Sequence, residues 1–558
     1  MSRLQQAMRS SGEQIRNPVA RIGVGCAALL LAVVAATYWK VLGYPFIQDD
    51  WRFASLFTFQ GVGEGLRQII SLHDRFFYRP MSGLYHAALY SLFGPCPLAY
   101  HALALAWLWL GAWLVVQVMN EILHDRLVAC GAGILYACAA PVQMDPMTWA
   151  VGINELAGTV FVLASFLLFL RNRPVAGGMA YLVAILFKEA AVFLPAVLLV
   201  CLVCRGGFGN SLATFVRRVA ASLWMYGVAL ALYSTIKWLG LSPLSVPTEH
   251  PYALSFWGPH IVANFVLYEK WGLETIAPML AESGLKEFLF RVLLKHLAAA
   301  AGFSGLIWSI VLAAIRLSVQ ERPQRTDASS VPSAYSPTAI LIILAGWFCL
   351  ALLPVIFLRQ HCYRYYMIYS VPPLLAGYLL FVRAVADTVL RTPRAASLGV
   401  ILLVALNVTF SVRFFHRRDA GVLRPLFIEG TNDLIDKAHI VNLVQPQLLR
   451  IKPTVPRGSI LVFNYLNPWA FDKDIGPRVW YRDPTIEVFS APNISISGEQ
   501  LCIEDSFQNL GDAEQGRSLT EKRPLDRSRT FFFSLENGVL KDTTAACLAP
   551  AGSRGNNL

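Results

Sequence analysis

Charge is scarce in this chain. Asp, Glu, Lys and Arg make up only 15% of its 558 residues, while 56% are hydrophobic and the mean hydropathy is +0.50. That balance excludes a water-soluble multidomain chain and describes a polytopic membrane protein. Metal-binding patterns are lacking too: the ten cysteines include no two CxxC motifs and no Cys/His spacing of the kind zinc or iron–sulfur sites require. Acid is sparse between the apolar runs, where Lys and Arg collect. The net charge of +12 therefore reads as orientation by the positive-inside rule, with lipid-headgroup contact secondary and no nucleic-acid partner.

What is abundant is apolar sequence in runs of membrane length. Arg3, Arg9, Arg16 and Arg21 precede an apolar stretch at 22–42. This is close to the ~20 residues that cross a bilayer and too long for a signal-peptide core. It is expected to be an uncleaved signal anchor with a cytoplasmic N-terminus. Further runs at 98–120, 127–142, 149–170, 175–188, 189–204, 219–240, 297–315, 338–357, 365–382 and 396–412 bring the expectation to about eleven crossings. Counting outward from the first places 171–173, 205–218, 316–325 and 383–394 in the cytoplasm. Those segments carry Arg171, Arg173, Arg205, Arg217, Arg218, Arg316, Arg322, Arg325, Arg383, Arg391 and Arg394, so parity and charge bias agree.

Two segments assigned to the outside, 43–97 and 241–296, are long and mix aromatic with charged residues. They are expected to hold helices along the interface and to be functional loops. The resulting division is a transmembrane domain over 1–412 and a soluble periplasmic α/β domain over 413–558. In the latter, 459–465, 485–490 and 529–534 read as strands and Asn537-Gly538 as a turn. Outside the cytoplasm, Cys502 and Cys547 either pair or remain two buried thiols.

This topology gathers ionisable residues at the outer face. Asp49 and Asp50 stand in Tyr44-Pro45-Phe46-Ile47-Gln48-Asp49-Asp50-Trp51-Arg52, just after the first apolar run. Asp145, Asn154 with Glu155, Lys188 with Glu189, and the cluster Arg359-Gln360-His361-Cys362-Tyr363-Arg364-Tyr365-Tyr366 fall at the same level. Charges near hydrocarbon are costly unless paired or solvated, so such groups line cavities or mark helix ends. A structural ion pair is the competing reading of Lys188-Glu189. Arg forks suit phosphate oxygens, which makes an anionic lipid headgroup the expected ligand of the 359–366 cluster. Carboxylates beside phosphate-binding cations suit transfer of a sugar from a lipid phosphate to an acceptor hydroxyl.

These motifs resemble the GT-C superfamily of multi-spanning glycosyltransferases, especially its protein O-mannosyltransferase and aminoarabinose-transferase branch and their bacterial relatives. Phe46-Ile47-Gln48-Asp49-Asp50 is similar to the acidic motif of that family's first external loop. Tyr78-Arg79-Pro80-Met81-Ser82 with Leu92-Phe93-Gly94 resembles its loop helix. The segment 141–156 with Trp149, the element Leu186-Phe187-Lys188-Glu189 with Leu194-Pro195, and Tyr363-Arg364-Tyr365-Tyr366 with Pro372-Pro373 follow in the family's order. The last three resemble the transmembrane tetratricopeptide-containing mannosyltransferases. The departures are Gln143 where relatives often have His, Asn154 in place of a cation, and the absence of tetratricopeptide repeats.

The resemblance implies a GT-C-like membrane fold in a bacterial inner membrane, with a polyprenyl-phosphate-linked sugar as donor and a periplasmic glycan, lipid or protein as acceptor. It implies Asp49 as base with Asp50 in support, and Lys188, Arg359, Arg364 and Tyr365 at the donor phosphate. Asp145, Asn154, Glu155, Glu189 and His361 remain acceptor or supporting residues. No cofactor is expected. A divalent ion on Asp49 and Asp50 with Asp145 or Glu155 is the less favoured alternative. A flippase of lipid-linked saccharide and a non-enzymatic sensor are the competing functions.

Overall fold

The computed structural model describes residues 23–71, 78–206, 211–240, 253–278, 335–359, 361–390, 392–420, 434–466, 468–504 and 520–549. The expected crossing at 297–315 and much of the loop 241–296 lie outside them. Among the described residues, seven helices are long and apolar enough to cross a membrane. The chain is a polytopic helical protein with a C-terminal domain that contains β-sheet.

The helices are α1 (Gly23–Tyr38, extended to Gly43 by a 3-10 turn), α2 (Asp50–Ile70), α3 (Pro80–Phe93), α4 (Pro97–Leu123), α5 (Arg126–Ala137), α6 (Ala140–Thr148), α7 (Ile153–Leu170) and α8 (Pro174–Phe187). They continue as α9 (Leu194–Gly206), α10 (Leu212–Gly240), α11 (Pro259–Ile276), α12 (Pro337–Ile356), α13 (Val371–Leu390) and α14 (Pro393–Asp419). Proline opens α3, α4, α8, α11, α12 and α14, where its missing N–H has no intrahelical partner to lose. Asp125 caps α5 by accepting the N–H groups of Leu127 and Val128 at 3.0 and 3.1 Å. Burial sorts the spans: 83% of the apolar window in Ala150–Leu170 is inside the protein, against 17% in Leu212–Leu239. The first lies within the bundle, and the second is mostly uncovered by the described residues.

Three expected crossings change form. The run 127–142 is not one straight span, because α5 and α6 meet at a 47° bend. The long run through 175–204 breaks at Lys188, where α8 ends and a 3-10 turn over Glu189–Phe193 precedes α9. The crossing placed at 365–382 begins later: Arg364–Tyr369 is a 3-10 turn, and the helix starts at Val371. In each case polar residues or prolines interrupt the helix within an apolar run. Cys201 and Cys204 form a single CxxC on α9, and both are free thiols.

In the C-terminal domain, α15 (Leu434–Ile451) packs beside a sheet ordered β2-β1-β6-β7 (β1 Ile460–Asn464, β2 Glu487–Ser490, β6 Thr530–Glu536, β7 Val539–Asp542). Strand β1 runs parallel to both neighbours, while β6 and β7 form a hairpin. The turn of that hairpin is Asn537-Gly538, both with positive φ (50° and 80°), as the tight two-residue turn requires. A second, antiparallel sheet of β3 (Ile494–Ser497), β4 (Gln500–Glu504) and β5 (Thr520–Pro524) was not expected from sequence. Between β1 and β2 lies α16 (Ile475–Tyr481), and α17 (Thr544–Cys547) follows β7. Cys502 lies on β4 and Cys547 on α17; no disulfide joins them, so the pairing alternative is not realised.

The two parts of the chain are locked together. Asp419, at the end of α14, takes an ion pair from Lys40 at 2.5 Å, a hydrogen bond from the Tyr44 hydroxyl at 2.6 Å and a contact with His439 of α15 at 3.3 Å. Asn442 donates to the Gly43 carbonyl at 3.0 Å. The loop carrying the acidic pair is thus held from both sides.

Candidate active site

The acidic pair opens α2, and its two members are treated differently by the fold. Asp50 is buried, at 3% exposure. Its carboxylate accepts the Ile47 N–H at 3.0 Å, the Ala150 N–H at 3.1 Å and the Val151 N–H at 2.8 Å. The last two amides belong to the tight turn between α6 and α7. Gly152 makes that turn possible, since a Cβ there would sit 2.2 Å from the Pro146 carbonyl oxygen. Asp49, by contrast, keeps 45% of its side chain exposed and faces Arg52 at 3.3 Å.

The backbone ahead of the pair is strained. Gln48 adopts a left-handed φ of 44°, rare for a residue with a side chain. Its N–H donates to the Ala470 carbonyl of the C-terminal domain at 3.1 Å. Arg52 reaches the same domain, binding Asp472 at 2.7 and 3.2 Å. Trp51 packs edge-on against Trp480, with ring centres 5.6 Å apart.

Burial pushes the Asp50 carboxyl up to about 7, and the Asp49 charge adds to this, while the three amide donors oppose it. Free Asp titrates near ~3.9, so the folded chain holds more protons than the unfolded one between these values. Stability contributed at Asp50 is therefore greatest at low pH and declines as pH rises from about 4 to about 7. Comparing melting temperature against pH for the native protein and Asp50→Asn is expected to show a steeper fall for the native protein over that window. Parallel curves would refute it.

From the Asp50 amides a series of contacts leads to the cation cluster. Trp149, next to Ala150, lies 6.4 Å from the Tyr365 ring. Lys188 sits over Tyr365 and Tyr366, at 5.9 and 5.3 Å from their centres. Its ammonium is buried and bound to Glu155 at 2.6 Å. Glu189 instead pairs with Arg79 in a two-pronged contact at 2.9 and 2.5 Å. Lys188-Glu189 is therefore not an ion pair with itself, and each member serves a different partner. Arg79 belongs to the Tyr78–Ser82 motif and is not among the residues expected in the site; its nearness to Asp49 is sufficient for its charge to act there.

Arg364 pairs with buried Glu274 at 3.1 Å and lies over Trp271, 5.8 Å from the ring centre. Glu274 and Trp271, both on α11, were not expected in the site. Arg359 is exposed and has no carboxylate within ion-pair reach among the described residues; its N–H donates to the Ala253 carbonyl. His361 is half-buried against the Tyr363 and Tyr366 rings, at 4.5 and 5.9 Å. Asn154 is buried with its side-chain carbonyl unpaired among the described residues. Asp145 is half-buried on α6. Among the described residues no three His, Cys, Asp or Glu side chains converge. The alternative cation set of Asp49 and Asp50 with Asp145 or Glu155 is not assembled, because Glu155 is committed to Lys188 and Asp50 to backbone amides.

No family model and no curated protein matches the sequence. Among solved structures, the crystal structure of ArnT from Cupriavidus metallidurans bound to undecaprenyl phosphate is similar over 83% of this chain and 86% of its own, at 14% identity and a TM-score of 0.47. The apo state of the same protein is similar over 83% and 85%, at 15% identity and a TM-score of 0.45.

Proposed function

We propose that this protein is a GT-C-type membrane glycosyltransferase that moves a sugar from a polyprenyl-phosphate donor to an acceptor hydroxyl at the periplasmic face of a bacterial inner membrane. The observation that carries the reading is the split of the acidic pair. Asp50 is fixed by three amides, two of them next to Trp149, whose ring leads through Tyr365 to the buried Lys188, and this leaves Asp49 partly exposed beside Arg52.

In this reading the acceptor oxygen attacks the anomeric carbon as Asp49 takes its proton. The bond from that carbon to the phosphate oxygen breaks, and its electron pair leaves on the phosphate. Attack opposite the leaving group inverts the anomeric centre. The leaving group needs stabilisation of growing negative charge more than it needs a proton, which is the role of Arg364, Arg359 and Lys188. Asp50 positions the loop. Glu155 and Glu189 hold Lys188 and Arg79 in place.

Burial, reinforced by Asp472 and opposed by Arg52, raises the Asp49 carboxyl above the usual carboxylate range. A base must be unprotonated, so the acid limb of the pH–rate profile is expected above pH ~4. Arg364→Gln is expected to raise the donor KM about tenfold or more, the scale of a charged hydrogen bond. An unchanged donor titration would remove Arg364 from the phosphate site. The decisive test incubates purified protein with polyprenyl-phosphate sugar and envelope acceptors. Transfer supports the enzyme; translocation without transfer means a flippase, and neither means a sensor.

A further inference from the structure

Two cavities meet between the acidic loop and the C-terminal domain, and the chemistry above uses neither. The larger, 540 Å³, is walled by Trp51, Thr58, Tyr90, Gln445, Trp480 and Arg482, among others. The smaller, 330 Å³, runs from Leu42 and Leu98 past Tyr44 to Trp51 and Gln445. Trp51, Pro95 and Gln445 line both, which makes them one groove. One end lies at Leu42 and Leu98, at the ends of two membrane-length helices; the other lies at Arg482 in the C-terminal domain.

The lining has a particular chemistry. Trp51, Trp480 and Tyr90 supply aromatic surface, and Arg482, Gln445 and the Thr58–Tyr90 hydroxyl pair, 2.9 Å apart, supply polar groups along it. The indole N–H groups of Trp51 and Trp480 are buried and have no hydrogen-bond partner among the described residues. Buried donors ordinarily find partners, and both orphans belong to indoles that line this groove, which suits an occupant that accepts hydrogen bonds. An acyl chain would leave these donors unsatisfied. A sugar ring fits both demands, with C–H faces for the aromatics and hydroxyls for the polar groups.

We propose that this groove is a saccharide-binding subsite for the glycan portion of the acceptor. The inference rests on the transferase reading for the word acceptor only. Trp51 directly follows Asp49 and Asp50 in the chain, so the groove is lined by the same segment that carries the acidic pair. The groove's membrane end suits a glycan carried on a lipid, and its Arg482 end accommodates a free oligosaccharide.

The test titrates the full-length protein in nanodiscs, without donor, by fluorescence anisotropy. The probe is the oligosaccharide released by mild acid from the producing cell's envelope and labelled with aminobenzamide. Intact envelope glycolipid placed in the nanodisc serves as competitor, and unlabelled oligosaccharide as the second competitor. Saturable binding, weakened about tenfold by Arg482→Gln and by Trp480→Phe, is expected. Trp480→Phe keeps an aromatic ring against Phe471 and so guards against misfolding. Competition by glycolipid far below the concentration of free oligosaccharide identifies a lipid-borne acceptor; equal competition identifies a soluble one. No saturable binding, or binding indifferent to both substitutions, overturns the subsite. Substitution-sensitive binding in a protein that transfers no sugar would retain the saccharide site and remove the transferase.

Discussion

Asp49→Asn is expected to lower the sugar-transfer rate by about 10²–10⁴-fold, the share of catalysis that a positioned base supplies. The substitution keeps the shape of the side chain and removes only its capacity to take a proton. Asp49 makes no side-chain cap to α2, and its one ion pair among the described residues is with Arg52, itself bound more closely to Asp472. Folding should therefore survive, with unchanged size-exclusion behaviour and melting temperature. Asp50→Asn is the contrasting variant. Three amide donors converge on Asp50, and an amide side chain presents N–H where one of them needs an acceptor. Its loss should appear as lower stability together with lower activity. Near-normal turnover in Asp49→Asn would end the assignment of Asp49 as base, whatever Asp50→Asn does.

The second large effect is expected at Lys188. Both partners of the Lys188–Glu155 bridge are almost fully buried, with side-chain exposures of 8% and 3%. Lys188→Met strands the Glu155 carboxylate in the membrane domain, a change that costs about 3–5 kcal/mol when one member of a buried pair is removed. The double variant Lys188→Met with Glu155→Gln removes both charges and is expected to recover most of that stability. Thermal denaturation of the three proteins in detergent measures the pattern. The double variant also isolates function from folding. If Lys188 contributes to phosphate binding, a stable double variant will still bind polyprenyl phosphate more weakly than the native protein. Recovery of both stability and affinity would make Lys188 a structural residue alone.

These pairings mark where sequence reading stops. Helices with uniform apolar length, such as Pro97–Leu123 and Pro337–Ile356, follow directly from composition, and the turn at Asn537-Gly538 from local chemistry. The bend between α5 and α6 does not follow, because a run of apolar residues looks the same whether or not the backbone breaks within it. The antiparallel sheet β3-β4-β5 escaped for the opposite reason. Glu521, Lys522 and Arg523 leave β5 no apolar alternation to detect, and the alternation of Ile494 and Ile496 with Ser495 and Ser497 in β3 is only four residues long.

At the site, the regions were legible but their partners were not. Lys188 is adjacent in sequence to Glu189, yet it binds Glu155, 33 positions away; Glu189 binds Arg79, 110 positions away. Only the folded packing decides between such carboxylates. The same holds for Asp49 and Asp50, which are chemically identical and neighbours. Their different surroundings come from the turn at Gly152, which aims two amides at one of them.

The left-handed backbone at Gln48 has a consequence for how such chains can recombine. Its N–H is satisfied by the Ala470 carbonyl, and four residues on, Arg52 is anchored by Asp472. A chimera that grafts a foreign C-terminal domain onto residues 23–420 must therefore bring a carbonyl and a carboxylate to those two places. Without them, the turn that presents Asp49 is released. The two parts of the chain are not interchangeable modules, and they can be exchanged only as a matched set.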